Sequence, residues 1–418
     1  MKTVLLFGAG RSTYTLIKYL TNESETLKIK VIICDITIND FVKKQLKANY
    51  CEFVKLDICD INSRRKLISE SNLVISMLPP SFHIDIAKDC IYYKVNLITA
   101  SYVSDEMSAL DEDAKKANII ILNEVGLDPG IDHISAMDII NKLKDKNAVI
   151  KSFKSHCGGL IAPESDNNPW NYKFTWNPRN VILAGSYGAK YLKNNLVTKF
   201  NYNEVFSKVE KVKIPGYGVF ESYANRDSLP YKSKYGLEDS TTILRGTIRA
   251  VGFCKAWDVF VQLGMTSDSG NNLIQRELFN DYVKKTKNED ISKKMNYLDL
   301  FEKKYTDNSS NPYKHLYNVL IDKWKLSKND IDMIVMQHIF DYKINNVNKT
   351  LKLSMIVKGD NDLETAMAKT VGLPVFFATR LILKGEVNLK GVKIPIHKQL
   401  YEPILHDLMH EGIEFIES

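Results

Sequence analysis

The sequence predicts an α/β protein built on a doubly wound parallel sheet, with an α+β region and a small helical portion behind it. Three observations lead there. Short runs of Val, Ile and Leu at 4–7, 31–34, 73–78, 95–99 and 119–122 lack polar alternation, as strands buried on both faces do. Amphipathic stretches such as 14–20 and 85–93 lie between them and read as crossover helices. Past residue 125 the texture changes: 200–214 and 241–254 read as longer strands of mixed polarity, suited to an antiparallel or mixed sheet.

The first run leads directly into Gly8-Ala9-Gly10-Arg11-Ser12-Thr13, which opens the first helix. Glycine is needed where the chain turns sharply and where backbone must approach a pyrophosphate. The helix start then offers free N–H groups and a positive dipole to phosphates. Thr13 stands where the dinucleotide fingerprint has its third glycine, so the match is partial. Asp35 closes the second run, at the position from which a carboxylate accepts hydrogen bonds from ribose hydroxyls; a helix cap or turn residue is the plainer reading. A carboxylate there repels a 2′-phosphate and no arginine lies near it, which favours NAD over NADP. Leu78-Pro79-Pro80 follows the third run as a lip over the cofactor, or as a stiffened loop.

Three segments are hard to explain as scaffold. Thr99-Ala100-Ser101-Tyr102 and the run from Asn123 to His133 both leave strand ends, where ligands of open α/β sheets collect. The third comprises Ser155 to Glu164 and Asn171 to Trp176. Asn177-Pro178 marks a helix start, with Asn as cap and Pro in the first turn. Residues 271–330 are polar, lysine-rich and helical in spacing, with their most exposed loop at 307–312. From Asp360 onward a long helix is expected, broken near Gly372-Leu373-Pro374. No internal repeat is evident.

Bulk properties bound the function. At 418 residues, 44% hydrophobic and 26% charged, the chain has the composition of a soluble protein of two or three domains. Its net charge of +7 comes from dispersed lysines without an arginine-rich arm or basic-aromatic stripe, which argues against nucleic acid as a partner. Cys34, Cys51, Cys59, Cys90, Cys157 and Cys254 form no C-x-x-C pair; free thiols in a reducing, cytoplasmic compartment are expected. The apolar start ends at Gly8 without a cleavage-like site, so no signal peptide is read there. No apolar run is expected to reach the ~20 residues of a membrane span.

Taken together, the glycine turn, Ser101-Tyr102, Gly126-Leu127-Asp128-Pro129-Gly130-Ile131-Asp132-His133 and Cys157-Gly158-Gly159 resemble saccharopine dehydrogenases of the L-glutamate-forming type. Asn225-Arg226-Asp227-Ser228, Arg245-Gly246-Thr247-Ile248-Arg249 and the stretch from Met367 to Pro374 carry the same resemblance, which is weakest over the lysine-rich insert. It implies oxidation of saccharopine at its secondary amine by hydride transfer to a nicotinamide, then imine hydrolysis to L-glutamate and 2-aminoadipate 6-semialdehyde. It also implies three parts: a Rossmann domain of residues 1–125 and 365–418, a substrate domain of 126–270 and 331–364, and a helical domain of 271–330. The cofactor residues it implies are Gly8, Ala9, Gly10, Arg11, Ser12, Asp35, Asp57, Ile58, Leu78, Ala100, Leu127, Asp128 and Pro129. Ser101, Tyr102, Arg226, Thr247, Ile248 and Arg249 would contact substrate, and Tyr102, Asp128 and Cys157 would stand near the reacting centre. A small-molecule substrate is implied, with no membrane partner, and a homodimer is compatible with it.

The chemistry of the residues agrees. Saccharopine carries three carboxylates, and planar guanidiniums such as those of Arg226, Arg245 and Arg249 hold carboxylates bidentately, although a surface arginine is commonly just a solvated charge. Imine chemistry calls for a proton acceptor near the amine. Tyr102 could equally be a packing residue, Asp128 a turn former and Cys157 a filler of small space. Two rivals share the scaffold: a carboxynorspermidine-type dehydrogenase and a non-catalytic nucleotide sensor. His406 and His410 have the spacing of a helical zinc pair but lack a third ligand, so no metal is expected. His133, beside Asp132 at a helix start, is read as a base or as a structural group.

Overall fold

The computed structural model describes residues 1–46, 50–267, 274–305 and 311–417. Most of the loop expected at 307–312, and the start of the helical insert at 271–273, lie outside the described residues. The chain forms two compact units: Met1–Asn141 with Leu363–Glu414, and Lys142–Asp362 with the C-terminal residues from Phe415. The first unit thus runs past the boundary expected at residue 125.

The first unit is a seven-stranded parallel sheet. Its strands are β1 (Lys2–Phe7), β2 (Ile29–Asp35), β3 (Cys51–Lys55), β4 (Leu73–Ser76), β5 (Asn96–Thr99) and β6 (Ile120–Leu122), with a last strand from the C-terminal segment, Gly391–Lys393. The last strand lies outside β6, and the order continues β6, β5, β4, β1, β2, β3. The five apolar runs all became strands. The edge strands β3 and Gly391–Lys393 escaped notice because they are short and only partly buried, so no apolar run marks them.

Helix Ala366–Lys384 packs against helix Tyr14–Asn22 and runs straight through Gly372 and Pro374, where a break was expected. The reason is tertiary. A Cβ on Gly372 would stand 2.7 Å from the backbone nitrogen of Leu16, so glycine lets the two helices touch. Thr370 Oγ1 donates to the Ala366 carbonyl one turn back, and burial of the apolar face outweighs the local cost of proline. This 19-residue helix is also long and apolar enough to cross a bilayer, contrary to expectation, but 78% of its apolar window is buried inside the protein.

The second unit is a mixed sheet. Its strands are β7 (Val149–Ile161), β8 (Ala189–Lys193), β9 (Leu196–Phe200), β10 (Val209–Ile214), β11 (Gly218–Ala224), β12 (Arg226–Asp227), β13 (Thr242–Arg249), β14 (Asp332–Ile344) and β15 (Val347–Lys358). The main path runs β10, β11, β13, β7, β14, β15 and then Ile416–Glu417. Among its named strands, in the described residues, β7–β13 and β8–β12 pair in parallel. The single strand expected at 200–214 is split by a helical turn, Tyr202–Val205, because Asn201 and Glu204 form a reciprocal capping box. The stretch 241–254 likewise ends as a strand at Arg249 and turns into helix Phe253–Gln262. The expected cap is present: Asn177 Oδ1 accepts from Arg179 N at 3.0 Å, opening helix Pro178–Ile182. Helices Arg276–Lys285, Glu289–Leu298 and Pro312–Lys323 share one apolar core with the sheet, through Phe279, Met295 and Leu320 beside Trp170, Tyr223 and Leu244.

Candidate active site

Within the first unit, loops after the parallel strands leave from one edge of the sheet, and strand order reverses between β1 and β4. Ligands of open α/β sheets bind at such a reversal. The glycine turn sits there. Gly8 has φ +97°, and a Cβ on it would lie 3.0 Å from the Met77 carbonyl group after β4. Gly10 has ordinary φ and open space around its Cβ position, so it is needed neither for conformation nor for internal packing. It caps the helical turn Arg11–Thr13 without any side-chain acceptor of its own. An open, uncapped turn feeding a helix fits a pyrophosphate.

Asp35 does something the sequence did not reveal. Its Oδ2 accepts from Ala9 N at 2.7 Å and its Oδ1 from Thr37 N at 3.3 Å, while Asn39 Nδ2 donates to the Ala9 carbonyl at 2.6 Å. The carboxylate therefore fastens the glycine turn. Of the remaining cofactor candidates, Asp57 accepts from Cys59 N at 2.9 Å in an exposed turn, and Ile58 is part of the core. Leu78 and Ala100 are half-buried at strand ends.

After β5 and β6, Tyr102 Oη donates to Asp128 Oδ1 at 2.9 Å, so these two catalytic candidates meet. The loop bearing Asp128 is tightly folded: Leu127 and Pro129 are buried, the Asp128–Pro129 bond is cis, and Gly126 N donates to the Pro129 carbonyl at 2.9 Å. A buried cluster braces it. Glu124 Oε1 accepts from Val103 N at 3.0 Å, its Oε2 lies 2.7 Å from His133 Nε2, and Asp132 Oδ1 accepts from Gly130 N at 2.6 Å. Glu124, Asp132 and His133 are each at most 1% exposed. They link the Tyr102 strand end to the Asp128 loop, so His133 reads as a brace. Ser101 has a partner that no motif had flagged: His83 Nε2, 2.7 Å from its Oγ.

In the second unit, strand alternation and register put Arg245, Thr247 and Arg249 of β13 on the same face as Cys157 of β7 and Tyr223 of β11. Arg249 is 5% exposed and lies 5.2 Å from the Tyr172 ring centroid, 5.8 Å from that of Tyr223 and 5.5 Å from that of Phe253. Its Nη1 donates to the Ile248 carbonyl at 2.9 Å, and its Nε has no acceptor among the described residues. Burial opposes its charge, but Tyr223, Tyr172, Cys254 and Cys157 around it push the guanidinium above its ordinary value. Glu221, in register with Arg249, is committed elsewhere: its carboxylate accepts from Gly252 N and Cys254 N at the start of helix Phe253–Gln262.

The other substrate candidates differ from one another. Ile248 packs its side chain on the opposite face, with Leu160, Val212 and Val335, leaving only backbone to offer. Arg226 is exposed, with φ +53° and its guanidinium 5.1 Å from the Tyr187 ring. Arg245 is buried over Tyr231 at 4.4 Å. Cys157 is buried next to half-buried Thr247. The aromatic cage escaped sequence reasoning because Tyr172, Tyr223 and Phe253 are far apart in the chain. His406 and His410 place Nε2 atoms 3.3 Å apart on an exposed helix face, and among the described residues no three His, Cys, Asp or Glu side chains group to hold a metal.

Comparison with known proteins matches residues 4–122 to the saccharopine dehydrogenase NADP binding domain and 126–413 to the saccharopine dehydrogenase C-terminal domain. A saccharopine dehydrogenase [NADP(+), L-glutamate-forming] of Pyricularia oryzae is 31% identical over 100% of this chain and 99% of its own length. The α-aminoadipic semialdehyde synthase of Arabidopsis thaliana is 32% identical over 99% of this chain but 44% of its own length. The chain thus spans about half the length of relatives of that second kind. Apo saccharopine dehydrogenase (L-Glu forming) from Saccharomyces cerevisiae superposes with a TM-score of 0.89 at 30% identity, covering 100% of this chain and 99% of that one. The homospermidine synthase of Legionella pneumophila shares the fold, with a TM-score of 0.62 at 11% identity.

These findings overturn the preference for NAD. Three of the relatives carry NADP(+) in their names, and the matching N-terminal domain is an NADP binding domain. The inference from Asp35 treats the carboxylate as an uncompensated charge facing the ribose. Two backbone N–H groups of the chain itself already engage it.

Proposed function

The chain belongs to the saccharopine dehydrogenase family, and on that premise we propose that it interconverts saccharopine with L-glutamate and 2-aminoadipate 6-semialdehyde, using NADP. The observation that carries the reading is Arg249. A guanidinium enclosed by three aromatic rings, with Nε unmatched and no carboxylate paired to it among the described residues, calls for an anionic ligand. A substrate with three carboxylates meets that demand.

NADP+ bound at the glycine turn would supply the hydride acceptor. Gly8, Ala9, Gly10 and the turn Arg11–Thr13 would hold its pyrophosphate. Arg11, exposed on that turn, is the cation we assign to its phosphates. Arg226, Thr247 and Arg249 would hold and orient substrate carboxylates. Tyr102 donates one hydrogen bond to Asp128, so the pair can take a proton from the amine or from the water that attacks the imine, and return it to the departing amine nitrogen. The brace formed by Glu124, Asp132 and His133 keeps that pair in register.

Spectrophotometry of purified protein with saccharopine and each nicotinamide cofactor tests the reading. Saccharopine-dependent reduction of NADP+, with kcat/KM well above that for NAD+, is expected. Turnover of a carboxynorspermidine-type substrate in preference to saccharopine, or binding of NADP+ with no turnover of either, would replace it.

A further inference from the structure

His83 opens helix His83–Tyr93 and is 4% exposed, yet both of its ring nitrogens are engaged. Nδ1 lies 2.9 Å from Ser76 Oγ at the end of β4. Nε2 lies 2.7 Å from Ser101 Oγ and 3.2 Å from Thr99 Oγ1 at the end of β5. Thr99 Oγ1 also accepts from Ser101 N at 3.2 Å, so the imidazole and the Thr99 hydroxyl grip the Ser101 residue from two sides. Packing alone does not require three hydroxyls from two adjacent strand ends to converge on one buried ring.

A neutral imidazole has one donor and one acceptor nitrogen, and the choice decides what Ser101 can do. With the proton on Nδ1, Nε2 is an acceptor and draws in a hydroxyl proton, which leaves Ser101 with lone pairs to offer. With the proton on Nε2, the ring donates to Ser101 Oγ, and Ser76 donates to Nδ1. The Ser101 O–H then points away from the ring as a donor. Only the second arrangement suits a carboxylate.

We propose that His83 is a positioning residue that holds the Nε2–H tautomer and presents the Ser101 hydroxyl as a hydrogen-bond donor to a substrate carboxylate. The proposal rests on the function proposed above and on the expectation, implied by the family resemblance, that Ser101 contacts saccharopine. It explains why a histidine is useful in a place where burial drives its pKa down to about 4. The ring stays uncharged at neutral pH, so it orients a hydroxyl without itself attracting the anion. It also gives a use to Ser76, fully buried behind the ring, whose hydroxyl can donate to the bare Nδ1 of that tautomer.

Two experiments test this, one of them independent of turnover. In 15N NMR of the histidine-labelled wild-type protein at neutral pH, His83 is expected as a neutral ring protonated at Nε2, identified by the signals lost in His83→Gln. A ring protonated at Nδ1, or an imidazolium, overturns the proposal even if saccharopine is turned over normally. In kinetics, His83→Phe is expected to raise KM for saccharopine about tenfold, the order of one charge-assisted hydrogen bond, and to leave KM for NADP+ within about twofold. His83→Gln, whose amide can donate from a place close to Nε2, should recover most of that loss. In a Ser101→Ala background His83→Phe should add nothing further. Equal losses for both ligands, or effects that add across the two sites, refute it. Should His83→Phe not fold, Ser76→Ala replaces it, with a smaller rise in the same KM expected and an unchanged KM refuting it. Absence of saccharopine turnover in the wild type would instead refute the function proposed above, and the NMR result would stand apart from it.

Discussion

At the scale of single residues, the charge of Arg249 is the most exposed to test. Arg249→Ala is expected to raise KM for saccharopine about 10- to 100-fold, the range for losing a hydrogen bond to a charged group, while KM for NADP+ stays near normal. Arg249→Lys should rescue little, because a point-like ammonium replaces neither the planar fork nor its contact with Tyr172, Tyr223 and Phe253. Steady-state kinetics with both ligands varied decides this, and an unchanged KM for saccharopine would remove Arg249 from the substrate site. Asp128 is a different kind of residue. If it exchanges a proton with Tyr102, then Asp128→Asn should lower kcat by about 100-fold with KM nearly unchanged. A variant that loses only affinity would make Asp128 a binding group. Motifs singled out both residues as candidates, whereas the bond from Tyr102 to Asp128 joins positions 26 apart and no local pattern encodes it.

At the scale of elements, two glycines in short loops have opposite jobs. Gly130 has φ +149°, and a Cβ on it would come within 2.0 Å of the Gly126 carbonyl oxygen. Gly130→Ala is therefore expected to destabilise the protein by about 1–3 kcal/mol or more, visible as a lower Tm with or without ligand. Gly10 has a φ of −72° and nothing within 4 Å of its Cβ position. Gly10→Ala should keep the Tm of the free protein and weaken NADP+ binding, because the methyl group occupies space kept for pyrophosphate. Calorimetric titration beside a melting curve separates the two. A Gly10→Ala protein that binds NADP+ like the wild type would put the cofactor somewhere else. Both glycines belong to runs noticed in the sequence; which one serves the fold and which the ligand is visible only from what surrounds each.

At the scale of the whole molecule, acid stability follows from histidines buried in both units. His83 in the first and His156 in the second are each held near a pKa of about 4 by burial, against an ordinary value of 6.5, and His156 Nδ1 is hydrogen-bonded to Ser222 Oγ. Below pH 6.5 the unfolded chain takes up protons that the folded chain refuses until about pH 4. The stabilisation from keeping these rings neutral is complete above pH 6.5 and is lost as pH falls towards 4. Each ring contributes a slope approaching ~1.4 kcal/mol per pH unit within that window. Chemical denaturation between pH 7 and 4.5, a range above most carboxylate titrations, should show stability falling with pH. His156→Gln should flatten the fall, and an identical slope in that variant would show that His156 takes up its proton in the folded state too.

The sequence by itself determined the class of the first unit, the place of the glycine turn and the set of runs from which candidate residues could be drawn. These are local properties: a strand buried on both faces reads as unbroken Val, Ile and Leu, and the glycines of a phosphate-binding turn lie within a few residues of one another. Tertiary structure alone decided that Asp35 faces Ala9 rather than open solvent, that helix Ala366–Lys384 passes Pro374 unbroken, and that Tyr172, Tyr223 and Phe253 enclose Arg249. It likewise joined His83 to Ser101. Periodicity reports whether a side chain is buried. Its partner, which can lie anywhere along the chain, is chosen by packing between elements, as the hydrogen bond from Ala9 to Asp35 illustrates.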